Sequence, residues 1–130
     1  MNKRTATVAI DFDGTITKYS PYPIMGDVRE QIPTFLKALH NRGYRMVLNT
    51  CRVGEYYDEA VQCLKDNNLY DLFDWEYAEK ESNKGRNGKL VATFYFDDSA
   101  LPFDDLDYVS WSTLTECVIE KIEKKMSNGL

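Results

Sequence analysis

The sequence predicts an α/β fold, a doubly wound, Rossmann-like domain over residues 1–130 with a mostly parallel sheet flanked by helices. Short β-branched apolar runs alternate along it with stretches of helical periodicity. An apolar fraction of 43% in 130 residues suffices for one core and leaves little room for a second domain. No internal repeat, low-complexity tract or linker breaks the alternation.

Taken in order, Thr5–Ile10 (TATVAI) is a β-branched run that ends at Asp11 and reads as a strand. Between Asp27 and Arg42, Val28, Ile32, Phe35, Leu36 and Leu39 recur at helical spacing. Pro33 either opens that helix or kinks it, and Gly43 stops it. Tyr44–Leu48 is a second strand, and Gly54–Asn68 a second helix with Tyr57, Ala60, Val61 and Leu64 on one face. Leu72–Trp75 reads as a short third strand. Leu90–Phe96 is a strong strand ending at Asp97, and Tyr108–Trp111 a short last one. Thr113 and Glu116 form a capping-box pattern, followed by Leu114, Val118, Ile122 and Met126 on one helical face. The apolar strands suit burial on both sides of a parallel sheet.

Composition narrows the function. The net charge of −5 argues against a general nucleic-acid binder, which carries a basic field. Lys80, Lys84, Arg86 and Lys89 form one local basic cluster. No run approaches the roughly 20 apolar residues that span a bilayer, so no membrane partner is expected. Met1–Arg4 shows no signal-peptide pattern. The three cysteines, Cys51, Cys63 and Cys117, are odd in number and lack a CxxC pair, which fits reduced thiols and a cytoplasmic setting. Cys51 has no base near it in sequence and reads as buried packing. The single His40 reads as a helix-end surface residue.

Ligands of an open α/β sheet bind beyond the carboxyl ends of its strands. Asp11, Thr50 and Asp97 each stand at or just past such an end, so they converge on one edge. In Asp11-Phe12-Asp13-Gly14-Thr15, two carboxylates two residues apart can face one pocket, and Gly14 permits the turn out of the strand. A carboxylate can attack phosphorus when a metal screens its charge, and a second one can move the proton. Thr50 and the backbone N–H groups after it can hold phosphate oxygens. Arg52 suits bidentate contact with phosphate or a substrate carboxylate. Lys89, with Lys84 as competitor, can neutralise the transferring group. Adjacent Asp97 and Asp98 at the end of a buried strand call for a partner, and Mg2+ bound by Asp97 and Asp11 supplies one.

Together these residues resemble the haloacid dehalogenase (HAD) superfamily from Thr5 to about Trp111. DFDGT is similar to its first motif, DxDGT, and the strand ending LNT to its second. Lys89 resembles the third-motif lysine and Asp97-Asp98 the fourth-motif acids. The resemblance implies Asp11 as nucleophile, Asp13 as general acid/base, and Thr50 and Lys89 as phosphoryl-group holders. It implies Mg2+ on Asp11, the Asp13 backbone carbonyl and Asp97, with Asp98 in support. It implies a phosphatase or phosphotransferase, because a dehalogenase does not need the second acid. NTCRVGE and the short KL…FYFDD ending further resemble small capless members of bacteria and phages. The sequence departs from the family where many members carry a further acid four or five residues past the fourth motif; here stand Leu101, Pro102 and Phe103. No segment is long enough for a cap, and Tyr19–Pro23 is a candidate flap over the site.

Three rivals remain. A response-regulator receiver uses similar residues in a different order along the chain. A silent phosphate-binding or regulatory module on the same fold keeps the site without the reaction. A polynucleotide phosphatase draws on the local basic cluster but conflicts with the acidic charge. The expected substrate is a phosphorylated small molecule, with a macromolecular one left open, and specificity is expected from Arg52, Tyr19–Pro23 and Tyr77–Gly88.

Overall fold

Three parallel strands form the centre of the protein, described here from a computed structural model that covers residues 5–79, 92–97, 106 and 110–128, and the backbone of 80–82. β1 (Thr7–Asp11) lies between β2 (Arg45–Asn49) and β3 (Phe94–Phe96). Thr7 pairs with Arg45 and Asp11 with Asn49 on one side, and Val8 with Phe94 and Ile10 with Phe96 on the other. Val8, Ala9, Ile10, Met46 and Val47 are all at most 1% exposed. Neither strand alternates apolar with polar, as expected where both faces of a parallel sheet are covered.

Among the described residues four helices flank this open sheet. α1 (Ile32–Asn41) follows β1, and α2 (Gly54–Asp66) and α3 (Trp75–Ser82) follow β2. α4 (Trp111–Asn128) ends the described chain. Pro33 lies in the first turn of α1, so the helix starts there and is not kinked by it. α1 packs on α4, with the rings of Phe35, Phe96 and Trp111 clustered at centroid distances of 4.7 to 6.4 Å. Such aromatic pairs contribute about 0.5–1.5 kcal/mol each beyond the area they bury. Leu36, Leu39, Leu114, Val118 and Ile122 complete this layer. Tyr44, just before β2, donates its hydroxyl to the Glu123 carboxylate of α4. Burial, then Glu123, pushes its phenol pKa up.

One expected strand is replaced by helix. Leu72–Trp75 does not form a strand. A 3-10 turn covers Tyr70–Leu72, one backbone bond joins Asp74 N–H to the Met46 carbonyl (2.8 Å), and α3 begins at Trp75. Asp74 caps α3 by accepting the Tyr77 N–H at 2.9 Å, and Trp75 stacks on Tyr70 at 4.8 Å while donating its indole N–H to the Tyr70 carbonyl. At Trp111, the expected last strand gives way to the first turn of α4; the rest of that stretch, 108–109, lies outside the described residues, as do 90–91 of the expected 90–96 strand. Leu114 N–H bonds the Ser110 carbonyl, so Thr113 lies inside the helix and is not its cap. Leu114, Val118 and Ile122 are buried at the expected spacing.

Among the described residues no helix is long and apolar enough to cross a membrane. None of the three cysteines is paired in a disulfide. Cys51 is exposed, not buried as its sequence context suggested, because the chain has left the sheet by that point.

Candidate functional site

The carboxyl edge of the sheet is organised by the turn after β1. From Asp11 the chain enters a wide turn, Phe12–Ile16, closed by Thr17 N–H on the Phe12 carbonyl at 3.1 Å. Gly14 has φ 81, a left-handed conformation that its missing Cβ makes cheap. The Phe12 ring is wholly buried and anchors the turn, while Asp11 and Asp13 on either side of it stay partly accessible. Thr15 donates its hydroxyl to Asp11 Oδ2 at 3.2 Å.

Arg29 holds the turn from behind. It is only 5% exposed, and it donates Nε to the Thr15 carbonyl (3.0 Å) and Nη2 to the Gly14 carbonyl (2.9 Å). Two buried carbonyls at a tight turn need donors, and a guanidinium fork supplies both. Neither Arg29 nor Thr15 stood out in the sequence. Arg29 lies in a polar stretch just ahead of α1 with no motif around it; a signal existed only for Thr15, inside the DFDGT run.

The neighbouring strand ends bring the other candidates in. Ile10 pairs with Phe96, so Asp11 and Asp97 are the next residues on adjoining strands, and Asp97 is half-buried. On the other side Asp11 pairs with Asn49, and Thr50 follows. The Thr50 hydroxyl accepts the Arg52 N–H at 3.1 Å, which fixes the bend out of β2 and leaves the hydroxyl hydrogen to donate. Lys89 and Asp98 lie outside the described residues, as do Lys84 and Arg86. Among the described residues no three His, Cys, Asp or Glu side chains group closely enough to hold a metal between them.

Arg52 makes the most distinctive contact. Nε donates to Asp13 Oδ2 at 2.8 Å and Nη2 to Asp13 Oδ1 at 2.7 Å, a bidentate ion pair. The arginine side chain is 0% exposed and that of Asp13 31%. Its Nη2 also reaches the Pro23 carbonyl at 3.3 Å, and the guanidinium carbon lies 5.4 Å from the Tyr22 ring and 5.6 Å from the Phe12 ring. Asp13 pushes the Arg52 pKa up further, so the charge is permanent. Nη1 is buried and finds no hydrogen-bond partner among the described residues.

Tyr22 and Pro23 belong to the segment expected as a flap. Its base is a short antiparallel contact, Thr17 with Val28, extended by Lys18 N–H on the Asp27 carbonyl at 2.8 Å. Gly26 is required there, since a Cβ would come within 2.2 Å of the Lys18 carbonyl oxygen. The tip folds onto Arg52, and Tyr22 meets Tyr56 of α2 edge-on at 5.7 Å.

Comparison with known proteins adds one solved structure. The chain is similar to a conserved protein from Bacteroides thetaiotaomicron. The two share 28% identity over 91% of this chain and 93% of the other, with a TM-score of 0.68. No protein-family model matches the chain, and no curated protein does. The similarity extends to the architecture and names no activity.

A second concavity, of about 480 Å3, opens at the opposite end of β2, lined by His40, Arg45, Asp71, Asp74, Trp75 and Glu76 among others. Its arginine is already paired with Asp74 at 3.3 Å, and it lies away from every strand end that carries an unexplained acid.

Proposed function

We propose that the chain is a phosphohydrolase of the HAD type, doubly wound and capless, which works through an aspartyl-phosphate on Asp11 with Mg2+ as cofactor. The observation that carries the reading is the pairing of strand ends. Asp11 ends the central strand, Asp97 follows its neighbour β3, and Thr50 follows β2 on the other side. The strand order 2-1-3 makes the connections leave β1 in opposite directions, and ligands of open α/β sheets bind at such a switch point.

The donor set suits magnesium. The carboxylates of Asp11 and Asp97 and the backbone carbonyl of Asp13 are hard oxygens, and Mg2+ commonly takes one or two carboxylates, with waters and substrate phosphate filling the rest. When bound, the metal screens the charge of the carboxylate from that of the phosphate.

The chain's own residues do the remainder. Asp11 attacks phosphorus, a bond forms to its carboxylate oxygen, and the ester P–O bond breaks. Asp13 gives the departing oxygen its proton, then takes one from the water that cleaves the aspartyl-phosphate. Thr15 orients Asp11 through its hydroxyl, and Arg29 keeps the turn in shape. Thr50 holds a phosphoryl oxygen, and the same role falls to Lys89. The expected substrate is a phosphorylated small molecule, or a macromolecular phosphomonoester at a capless site.

The silent binding module rests on one feature: both oxygens of Asp13 are accepting from Arg52, so Asp13 must leave one of them to act as an acid. Phosphate release from an aryl phosphate, with magnesium and with EDTA, separates the two. Hydrolysis that requires magnesium and drops by at least about 1000-fold in Asp11→Asn supports the enzyme. Equal release by wild type and variant removes Asp11 as nucleophile.

A further inference from the structure

We propose that Arg52 is a receptor for a second anionic group on the substrate, seated on the leaving-group side of the site and covered at rest by the Tyr22–Pro23 flap. The inference rests on the phosphohydrolase reading for its orientation, but not for its physical basis.

That basis is an incomplete set of hydrogen bonds. A guanidinium has five N–H donors in a fixed plane. Asp13 takes the Nε–Nη2 edge and the Pro23 carbonyl takes a long third bond at 3.3 Å. Both hydrogens of Nη1 are sealed from water without a partner among the described residues. A buried charged donor left empty is costly, and a fold that needed Arg52 only to hold Asp13 could turn this corner to solvent. The second edge of the guanidinium, Nη1 with Nη2, has the spacing that a carboxylate or phosphate fills with two oxygens.

The surroundings fix where that anion belongs. Asp13 delivers its proton to the leaving oxygen, so a cation clamped to Asp13 lies on the side of the substrate beyond the scissile bond. An anion there replaces the weak Pro23 contact and draws charge from the arginine, which loosens its hold on Asp13 and frees an oxygen for proton transfer. Entry requires the flap tip to lift. Its contacts with Arg52 and Tyr56 are one long hydrogen bond, the guanidinium over the Tyr22 ring at 5.4 Å and one edge-on ring pair, and Tyr19, Tyr22 and Ile24 are 81%, 56% and 64% exposed. The favoured substrates are therefore small phosphomonoesters that carry a carboxylate or second phosphate two or three bonds from the ester oxygen.

Calorimetric titration of Asp11→Asn in magnesium, a protein that binds without turning over, tests this with three probes: phosphoglycolate, ethylene glycol bisphosphate and ethyl phosphate. The expected result is about 30-fold tighter binding of at least one dianionic probe than of ethyl phosphate, the worth of one charged hydrogen-bond pair. Which dianionic probe wins separates carboxylate from phosphate. The ratio should fall to about 3-fold or less when Arg52→Lys is added, because a lysine offers no fork. Equal affinity for all three probes, no binding of any, or a ratio unchanged by Arg52→Lys overturns the proposal. Should the double variant not fold, guanidinium NMR of Asp11→Asn replaces it: the Arg52 signals must shift with the preferred probe and not with ethyl phosphate. Aryl phosphate hydrolysis by wild type is read separately, so loss of the catalytic reading and loss of this one are distinct results.

Discussion

Two arginine–aspartate pairs stand at opposite ends of β2, and they differ in almost every physical respect. At the amino end, Arg45 meets Asp74 through one contact of 3.3 Å, with side chains 32% and 40% exposed. It also donates to the Thr7 hydroxyl at 3.3 Å and lies over the Tyr77 ring at 4.3 Å. At the carboxyl end, Arg52 is enclosed, doubly bonded to Asp13 and left with one corner that has no partner among the described residues. The first pair is a solvated clasp that holds the α3 cap against the sheet. The second spends stability on an arrangement that packing does not require, and such arrangements concentrate where ligands bind.

The contrast yields measurable differences. Asp13→Ala should cost about 3–5 kcal/mol of unfolding free energy, because it strands a buried guanidinium; denaturant titration reads this, and a loss under about 1 kcal/mol would show that Arg52 escapes to water. Arg29→Ala should cost about 2–3 kcal/mol by removing charged donors from the Gly14 and Thr15 carbonyls. It should also lower the rate by displacing Asp11, whereas a stability loss with an unchanged rate would make Arg29 purely structural. Arg45→Ala should cost about 0–1 kcal/mol, as half-exposed pairs do, and a larger loss would erase the distinction drawn between the two ends.

The legible parts of the molecule were those with a period or a position rule. β1, β2 and the apolar faces of α1, α2 and α4 follow from runs of Val, Ile, Leu and Phe at the spacing each element demands. The convergence of Asp11, Thr50 and Asp97 follows from their places after strands. What escaped lacked such a rule. Leu72–Trp75 is too short for periodicity to separate strand from helix, and its outcome turned on Asp74 as a cap and on Trp75 stacking with Tyr70. Trp111 joined α4 because Ser110, not Thr113, supplies the first carbonyl. Arg29 and the Arg52–Asp13 pair are contacts across 14 and 39 residues, set by the turn after β1 and by the bend at Thr50. Arg52 could be named as an anion binder from its place after a strand, but nothing local in sequence pairs it with Asp13.

In the proposed reaction Asp11 accepts a phosphoryl group with magnesium beside it, and beryllofluoride reports on this without knowledge of the substrate. Fluorine NMR of the wild type with beryllofluoride and magnesium should show bound resonances that vanish on adding EDTA and never form with Asp11→Asn. Bound resonances of equal strength in Asp11→Asn, or none in the wild type, would contradict the account.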